Sequence, residues 1–256
     1  MIKFTCVRCK TAEIKTEWQE KPNKNEFKRA LYELEKENAL CPACLEIVDR
    51  EIKEQEAEKR REDEKREAEA RQKERKANIA LYLDNSNFPP RFLEPWDTQK
   101  GNNELLRFVR ENSRDNLFIC SIASGQCKTR ACVLAANELI KKDAIEAQFY
   151  KTTQLVRSLT GLYSTDIQAA DKMLARLSKI DLLILDDLCK EQATGRGLEL
   201  IYELIDDRYN FLKTTWITSN YGGADVQAHM KERGEYLIRR IRETYKSWQP
   251  ASERGR

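Results

Sequence analysis

Short, wholly apolar runs mark the C-terminal part of this chain. Leu182-Leu183-Ile184-Leu185 is one and Leu117-Phe118-Ile119-Cys120, led by Asn116, is another. Runs of this length without polar alternation suit strands buried on both faces. The β-branched stretch Thr214-Thr215-Trp216-Ile217-Thr218 predicts a further strand, and Ala147-Gln148-Phe149-Tyr150 a fourth. Helical stretches lie between them, over Thr129 to Lys141, Thr153 to Leu162 and Asp166 to Ser178, and Leu198, Ile201, Leu204 and Ile205 recur at helical spacing. Strands that alternate with helices predict an α/β domain with a mostly parallel sheet covered on both faces.

From Asp49 to Asn78 the pattern inverts. This stretch lacks Gly and Pro, is rich in helix formers, and beyond Ile52 its only apolar residues are alanines. Glu precedes a basic residue at i, i+4 spacing in Glu56/Arg60, Glu62/Arg66, Glu67/Arg71 and Glu69/Lys73. A solvated single helix is predicted, rather than a coiled coil, because no apolar seam exists to drive pairing. At 1.5 Å rise per residue it would span roughly 40 Å. Three segments follow: a cysteine-bracketed module over 1–48, a charged helical spacer over 49–84, and a globular α/β domain over 85–256.

Composition narrows the classes. Of 256 residues, 40% are apolar and 35% charged, with a net charge of +3, so no global basic field advertises nucleic-acid binding, and any such contact must be local. Neither a signal-peptide core nor an apolar window long enough for a membrane span is visible, and the chain reads as a cytoplasmic protein. In that setting eight cysteines point to metal ligands or free thiols before disulfides. Cys6-x2-Cys9 and Cys41-x2-Cys44 have the spacing of two knuckles that bind one zinc through four thiolates. In the insert between them, Asn23 and Glu26 suggest a capped helix start, with Phe27, Leu31 and Leu34 on one face. Cys120 and Cys132 read as packing residues, and His229 as a surface helix residue.

The turn after the Asn116 strand, Ile122-Ala123-Ser124-Gly125-Gln126-Cys127-Lys128-Thr129, approaches G-x-x-x-x-G-K-[ST]. A phosphate loop needs backbone N–H groups curled around an anion, a helix N-terminus aimed at it, a lysine, and a hydroxyl for magnesium. Lys128 and Thr129 are present, but Ile122 and Cys127 stand where the pattern has glycine, so the spacing also fits an ordinary strand-to-helix turn. The Leu182 strand, which ends in Asp186-Asp187, favours the phosphate loop. A buried strand that delivers carboxylates at its C-terminal end sets them at the edge where parallel sheets bind ligands. Asp186 would hold magnesium, Asp187 would orient the attacking water, and Asn220 would reach that water or the γ-phosphate. Gly234 to Arg242 reads as a helix with an apolar side (Leu237, Ile238, Ile241) and a basic side. An arginine there could complete a neighbouring subunit's site, touch nucleic acid or stay in solvent.

Taken in order, these features resemble the DnaC/DnaI-like and IstB-like branch of the AAA+ ATPases, the helicase loaders. The resemblance covers residues 85 to 256. Phe88-Pro89-Pro90-Arg91-Phe92 is similar to the family's segment before the first strand, and Ser124-Gly125-Gln126-Cys127-Lys128-Thr129-Arg130 occupies the Walker A place. Leu182 to Leu188 looks like Walker B, Thr218-Ser219-Asn220-Tyr221 like sensor 1, and Arg240 matches the arginine finger. The sequence departs from the family at Ile122, Cys127 and Cys189, each where glycine is usual. The resemblance implies an AAA+ P-loop fold, ATP and Mg2+ binding by Ser124 to Arg130 with Asp186, and ATP hydrolysis served by Asp187, Asn220 and Arg240. It further implies subunits bridged by nucleotide, contact with single-stranded DNA, and delivery of a replicative ring helicase in DNA replication. An amino-terminal zinc module, here Cys6, Cys9, Cys41 and Cys44, occurs in some loaders for partner binding. A phage or mobile-element origin would fit a divergent copy. A transposition helper of the IstB-like kind, and an adaptor with a decayed nucleotide site, are the alternatives.

Overall fold

A computed structural model describes residues 3–15, 26–99, 101–123, 125–189, 195–229 and 234–253. Asn23 and Ser124 lie outside the described residues, as do the side chains of Glu26 and Phe27. The chain divides into two compact units, Met1–Arg71 and Gln72–Arg256.

In the first unit, strands β1 (Lys3–Thr5) and β2 (Glu13–Lys15) form an antiparallel hairpin. Helix α1 (Glu26–Glu37) follows, and then α2 (Pro42–Ala77), whose residues extend into the second unit. Its apolar core is small: Phe4, Tyr32 and Ala39, with Ile14 packed against them. Phe4 and Tyr32 meet edge to face at 5.2 Å. Among the described side chains of α1 Tyr32 is therefore the buried one, whereas Leu31 and Leu34, expected on its inner face, are exposed. The charge run is helical as predicted, but the helix starts earlier, at Pro42, a residue suited to a first helical position because its missing N–H would go unused there. Of the anticipated ion pairs, Glu67–Arg71 forms at 2.9 Å, while Arg66 turns to Asp63 and Arg60 to Glu64.

The second unit is the expected α/β domain. After α3 (Ile79–Asp84) and α4 (Asn103–Glu111), strand β3 (Asn116–Cys120) leads into α5 (Lys128–Asp143). The chain continues through β4 (Ala147–Lys151), α6 (Thr152–Thr165), α7 (Ile167–Lys179), β5 (Leu182–Leu188) and α8 (Gly195–Asn210). It ends with β6 (Thr214–Ser219), α9 (Gly223–His229), α10 (Gly234–Thr244) and β7 (Tyr245–Trp248). The sheet order is β4-β5-β6-β3-β7, with every pairing parallel.

Period-two alternation splits each central strand between two cores. Leu182 and Ile184 join Leu117, Ile119 and Trp216 on the face covered by α4 and α5; Leu183 and Leu185 join Phe118, Cys120 and Ile217 on the face covered by α6, α7, α8 and α10. Cys120 and Cys132 are both buried, as packing residues should be. Below the sheet, the fully buried Arg208 donates to the carbonyls of Leu177, Ile180 and Thr214 and to Thr215 Oγ1, which spares its charge an unpaired burial. Gly234 is required by close approach, since a Cβ there would lie 2.1 Å from the Gln227 carbonyl oxygen of α9. Among the described residues no helix is long and apolar enough to cross a membrane.

Strand order decides where the chemistry collects. β3 lies between β6 and β7, so the chain leaves it toward β4 on one side and returns past it to β7 on the other. The C-terminal end of β3 is thus a topological switch point, where open parallel sheets leave a crevice for a ligand.

Candidate functional site

The phosphate-loop candidate occupies that crevice. β3 ends at Cys120, and α5 opens at Lys128 with Cys127 before it in the left-handed region, φ 58 and ψ 27. This is the conformation for which the pattern reserves glycine; cysteine adopts it despite the crowding of its Cβ. Gly125, at φ 84, supplies the other left-handed joint. The first turn of α5 follows directly on this loop, and the N–H groups that begin a helix have no partner within it, which is what lets such an end bind an anion.

Lys128 is 8% exposed and reaches back beneath the loop, donating to the Ser121 carbonyl at 3.0 Å and to Asn220 Oδ1 at 2.8 Å. Burial lowers its pKa, and the carboxylates of Asp187, Glu253 and Asp186 oppose that shift without cancelling it. On the acidic side, Asp186 is 2% exposed, and its Oδ1 accepts from Thr129 Oγ1 at 2.6 Å and Thr218 Oγ1 at 2.7 Å. Burial raises the Asp186 pKa, while the two hydroxyls pull the other way. Thr129 and Asp186 thus meet, although β6 separates their strands in the sheet. A hydroxyl joined to a buried carboxylate is the pair that P-loop sites use to hold Mg2+.

Asp187 does not continue the strand regularly. It sits at φ 57, where the β5–β6 register shifts between Leu185 and Leu188, and its N–H donates to Thr218 Oγ1 at 3.0 Å. The irregularity gives two consecutive carboxylates separate settings, Asp186 buried and Asp187 half-buried. Cys189, at φ 65, is a further left-handed residue where glycine is usual, and burial raises its thiol pKa to about 11.

The structure thus brings together Lys128, Thr129, Asp186 and Asn220, with Asp187 beside them. Other predicted site residues do different work. Gln126 Oε1 accepts from Asn102 Nδ2 at 2.7 Å, which ties the loop to the start of α4. Arg130 donates to the Glu94 and Pro95 carbonyls at 3.0 and 2.6 Å and lies over the Trp96 ring at 5.9 Å, so it anchors the segment before α4. Arg240 pairs with Asp206 at 2.6 Å and stacks 4.0 Å over Tyr209, both on α8, while Arg239 and Tyr236 occupy the more exposed side of α10. His229 lies on the last turn of α9, partly exposed, with its ring 4.5 Å from that of Tyr221.

Two residues have roles at the site that the sequence did not assign, Thr218 within the sensor 1 segment and Glu253 outside every motif. Thr218 holds both ends of the aspartate pair, and its place one register step from the strand end was the available signal. Glu253 accepts from the N–H groups of Ile122 and Ala123, at 2.9 and 3.1 Å, and from Ser121 Oγ at 2.9 Å. No local pattern announces it, because it is 130 residues or more from its partners.

In the first unit, the sulfurs of Cys6, Cys9, Cys41 and Cys44 all lie within 4.8 Å of one another, and no disulfide joins them. Tetrahedral zinc with Zn–S of about 2.3 Å sets its sulfurs roughly 3.8 Å apart, which the cluster fits. The hairpin turn carries Cys6 and Cys9, and the Cys41 N–H points at Cys6 Sγ at 3.4 Å. The Cys9 and Cys41 amides lower the Cys6 pKa, and Thr11 lowers that of Cys9 to about 5. Cys44, hydrogen-bonded to Cys41 and buried, is pushed up to about 12. Four sulfurs gathered this closely from two Cys-x2-Cys pairs form a donor set suited to a divalent cation, whose binding would draw the proton from Cys44.

Comparison with known proteins bears on the same residues. The family model described as IstB-like ATP binding protein matches residues 46–233. No curated protein sequence matches the chain. Among solved structures, DnaI superposes with a TM-score of 0.54 at 19% identity, over 64% of this chain and 95% of that one. AMPPCP-bound DnaA from Aquifex aeolicus superposes with a TM-score of 0.52 at 18% identity, over 64% of this chain and 51% of that one. The DnaC helicase loader gives 0.48 at 25% identity, over 66% and 98%. For DnaI and DnaA, at 19% and 18% identity, the likeness is one of fold.

Proposed function

Because the chain belongs to the IstB-like ATP-binding protein family, an AAA+ P-loop fold, we propose that it is an ATP-dependent loader of a replicative DNA helicase. In this reading residues 1–48 form a zinc module that grips the helicase or DNA, 49–84 a spacer, and 85–256 the ATPase domain that switches the grip. The observation that carries it is the attachment of a four-cysteine cluster, through a 36-residue helix, to a crevice holding Lys128, Thr129, Asp186 and Asn220.

Cys6, Cys9, Cys41 and Cys44 would hold Zn2+, a closed four-thiolate site with a structural role. ATP would lie along Ser124 to Arg130, with the free amides at the start of α5 and the Lys128 ammonium meeting its phosphates. Thr129 and Asp186 would hold Mg2+, which supplies charge neutralisation to the phosphates. Asp187 would orient the attacking water, and Asn220 would exchange its hydrogen bond with Lys128 for one to the water or γ-phosphate. Arg240 would serve a neighbouring subunit after release from Asp206. Nucleotide-bridged self-association, single-stranded DNA and the ring helicase are the partners this reading requires, and its setting is cytoplasmic.

Retention of the host's replicative helicase in a pull-down, compared with and without ATP, tests the reading; no retention under either condition overturns it. ATP turnover in the presence of single-stranded DNA, abolished by Lys128→Ala and Asp187→Asn, would exclude a static adaptor. The family's description also supports a transposition helper. Nucleotide-dependent coating of duplex DNA and stimulation of a transposase, without helicase retention, would favour that second reading.

A further inference from the structure

The C-terminal residues β7 and beyond do more than finish the sheet. β7 lies parallel to β3, with Trp248 opposite Ile119, and the chain then turns back in a short 3-10 turn, Ala251–Glu253. Two hydrogen bonds fix that turn: Glu253 N–H to the Pro250 carbonyl at 2.9 Å, and Gln249 Nε2 to the Glu253 carbonyl at 2.9 Å. The Glu253 side chain, 7% exposed, is thereby set against the first residues of the phosphate loop.

There it accepts three hydrogen bonds. Its Oε2 takes the Ile122 N–H at 2.9 Å, and its Oε1 takes the Ala123 N–H at 3.1 Å and the Ser121 hydroxyl at 2.9 Å. Burial acts to raise the pKa of Glu253, but these donors and the nearby Lys128 ammonium outweigh it, and the group is held below its ordinary value and ionised. The loop's first position carries isoleucine instead of glycine, and two consecutive N–H groups at its start, those of Ile122 and Ala123, converge on this one buried carboxylate, which holds them in a single geometry where water would leave them free to turn. The same segment supplies the Ser121 carbonyl that holds Lys128 at 3.0 Å. A carboxylate on Ser121 to Ala123 therefore fixes the backbone from which the phosphate-binding lysine is positioned.

We propose that Glu253 is a positioning residue for the nucleotide site, a carboxylate clamp that holds the first half of the phosphate loop in its binding shape. The clamp and the phosphates use different donors. Glu253 takes amides at the β3 end of the loop, and the first turn of α5, from Lys128 onward, keeps its own amides for phosphate. Glu253 is thus a support and not a competitor. This inference rests on the reading of the crevice as an ATP site.

The test uses the full chain with Glu253→Ala and Glu253→Gln. The glutamine variant keeps the side-chain shape but turns one acceptor oxygen into an amide donor that faces the loop amides. ADP affinity is measured by equilibrium titration, and backbone amide exchange is followed for Ile122 and Ala123 beside Leu183 and Ile184 of β5. ADP binding about tenfold weaker in Glu253→Ala and intermediate in Glu253→Gln is expected, with faster exchange confined to the loop amides. Should the alanine variant not fold, the glutamine variant alone decides. Unchanged or tighter ADP binding, or exchange that accelerates equally in β5, overturns the clamp while the ATP site stands. If the unaltered protein itself fails to bind ADP, the ATP-site reading fails and the clamp with it.

Discussion

Thr218 offers a sharp test of how the site is built. Its side chain is fully buried, and its hydroxyl both donates to Asp186 Oδ1 at 2.7 Å and accepts the Asp187 N–H at 3.0 Å. Thr218→Val keeps nearly the same volume, so no cavity opens, and only the two hydrogen bonds are removed. A hydrogen bond to a charged group is worth about 1.5–3 kcal/mol, and a buried N–H left unsatisfied costs about 1–3 kcal/mol. Asp186 retains the Thr129 hydroxyl, and Asp187 is half-buried, so the low ends of both ranges apply and the sum is about 2.5 kcal/mol. Thr218→Ser keeps the hydroxyl and loses one buried methyl, about 1 kcal/mol. Urea denaturation of the nucleotide-free protein, with m-values checked for constancy, measures both. Were Thr218 merely a β-branched core residue, valine would equal or exceed threonine and serine would be the worse variant. That order would falsify the assigned role.

Other outcomes follow from the same geometry. Cys127→Gly should stabilise the fold by roughly 0.5 kcal/mol: relief of a left-handed residue returns about 1–2 kcal/mol, and the freedom of glycine in the unfolded chain takes back about 0.4–1. A lower urea midpoint would count against strain there. Asp181 sits between Arg75 at 2.9 Å and Lys213 at 3.3 Å; burial acts to raise its pKa, but the Glu146 amide and these cations hold it below the ordinary value. Its contribution is therefore present above the unfolded carboxylate pKa of about 3.9 and is lost as pH falls through the lower folded value. Asp181→Asn should cost about 1–2 kcal/mol at neutral pH and converge with the parent as pH falls through the lowered folded value, and a gap that persists in acid would refute the pairing. Elemental analysis should find one zinc per chain, lost in Cys44→Ser together with the order of the first unit, whose apolar core among the described residues is Phe4, Tyr32, Ala39 and Ile14. A full equivalent of zinc in that variant would refute the four-thiolate site.

The sequence by itself determined the elements and the chemical cast. Apolar runs named β3 and β5, β-branching named β6, and helical spacing placed α5 to α8, because burial on both faces of a parallel sheet demands those patterns locally. Cysteine spacing drew the four thiols into one set, and Lys128, Thr129 and Asp186 were visible through a motif tied to its neighbours along the chain. Other features were illegible. β7 and Glu253 follow α10 with no motif of their own, and α4 carries too short an apolar pattern to stand out. The inner face of α1 could not be assigned from spacing, since the choice of Tyr32 over Leu31 and Leu34 depends on where Phe4 lies.

What only the tertiary structure decided is which of the named residues meet. Parallel strands meet only through crossovers, so the order β4-β5-β6-β3-β7 is set by packing across the whole sheet and not by any local run. That order brings Asp186 to Thr129 across β6, turns Arg130 and Arg240 toward Pro95 and Asp206, and carries Glu253 to the loop amides. Periodicity reports whether a side chain is buried; its partner is chosen by residues distant along the chain, whose contacts leave no trace in local sequence.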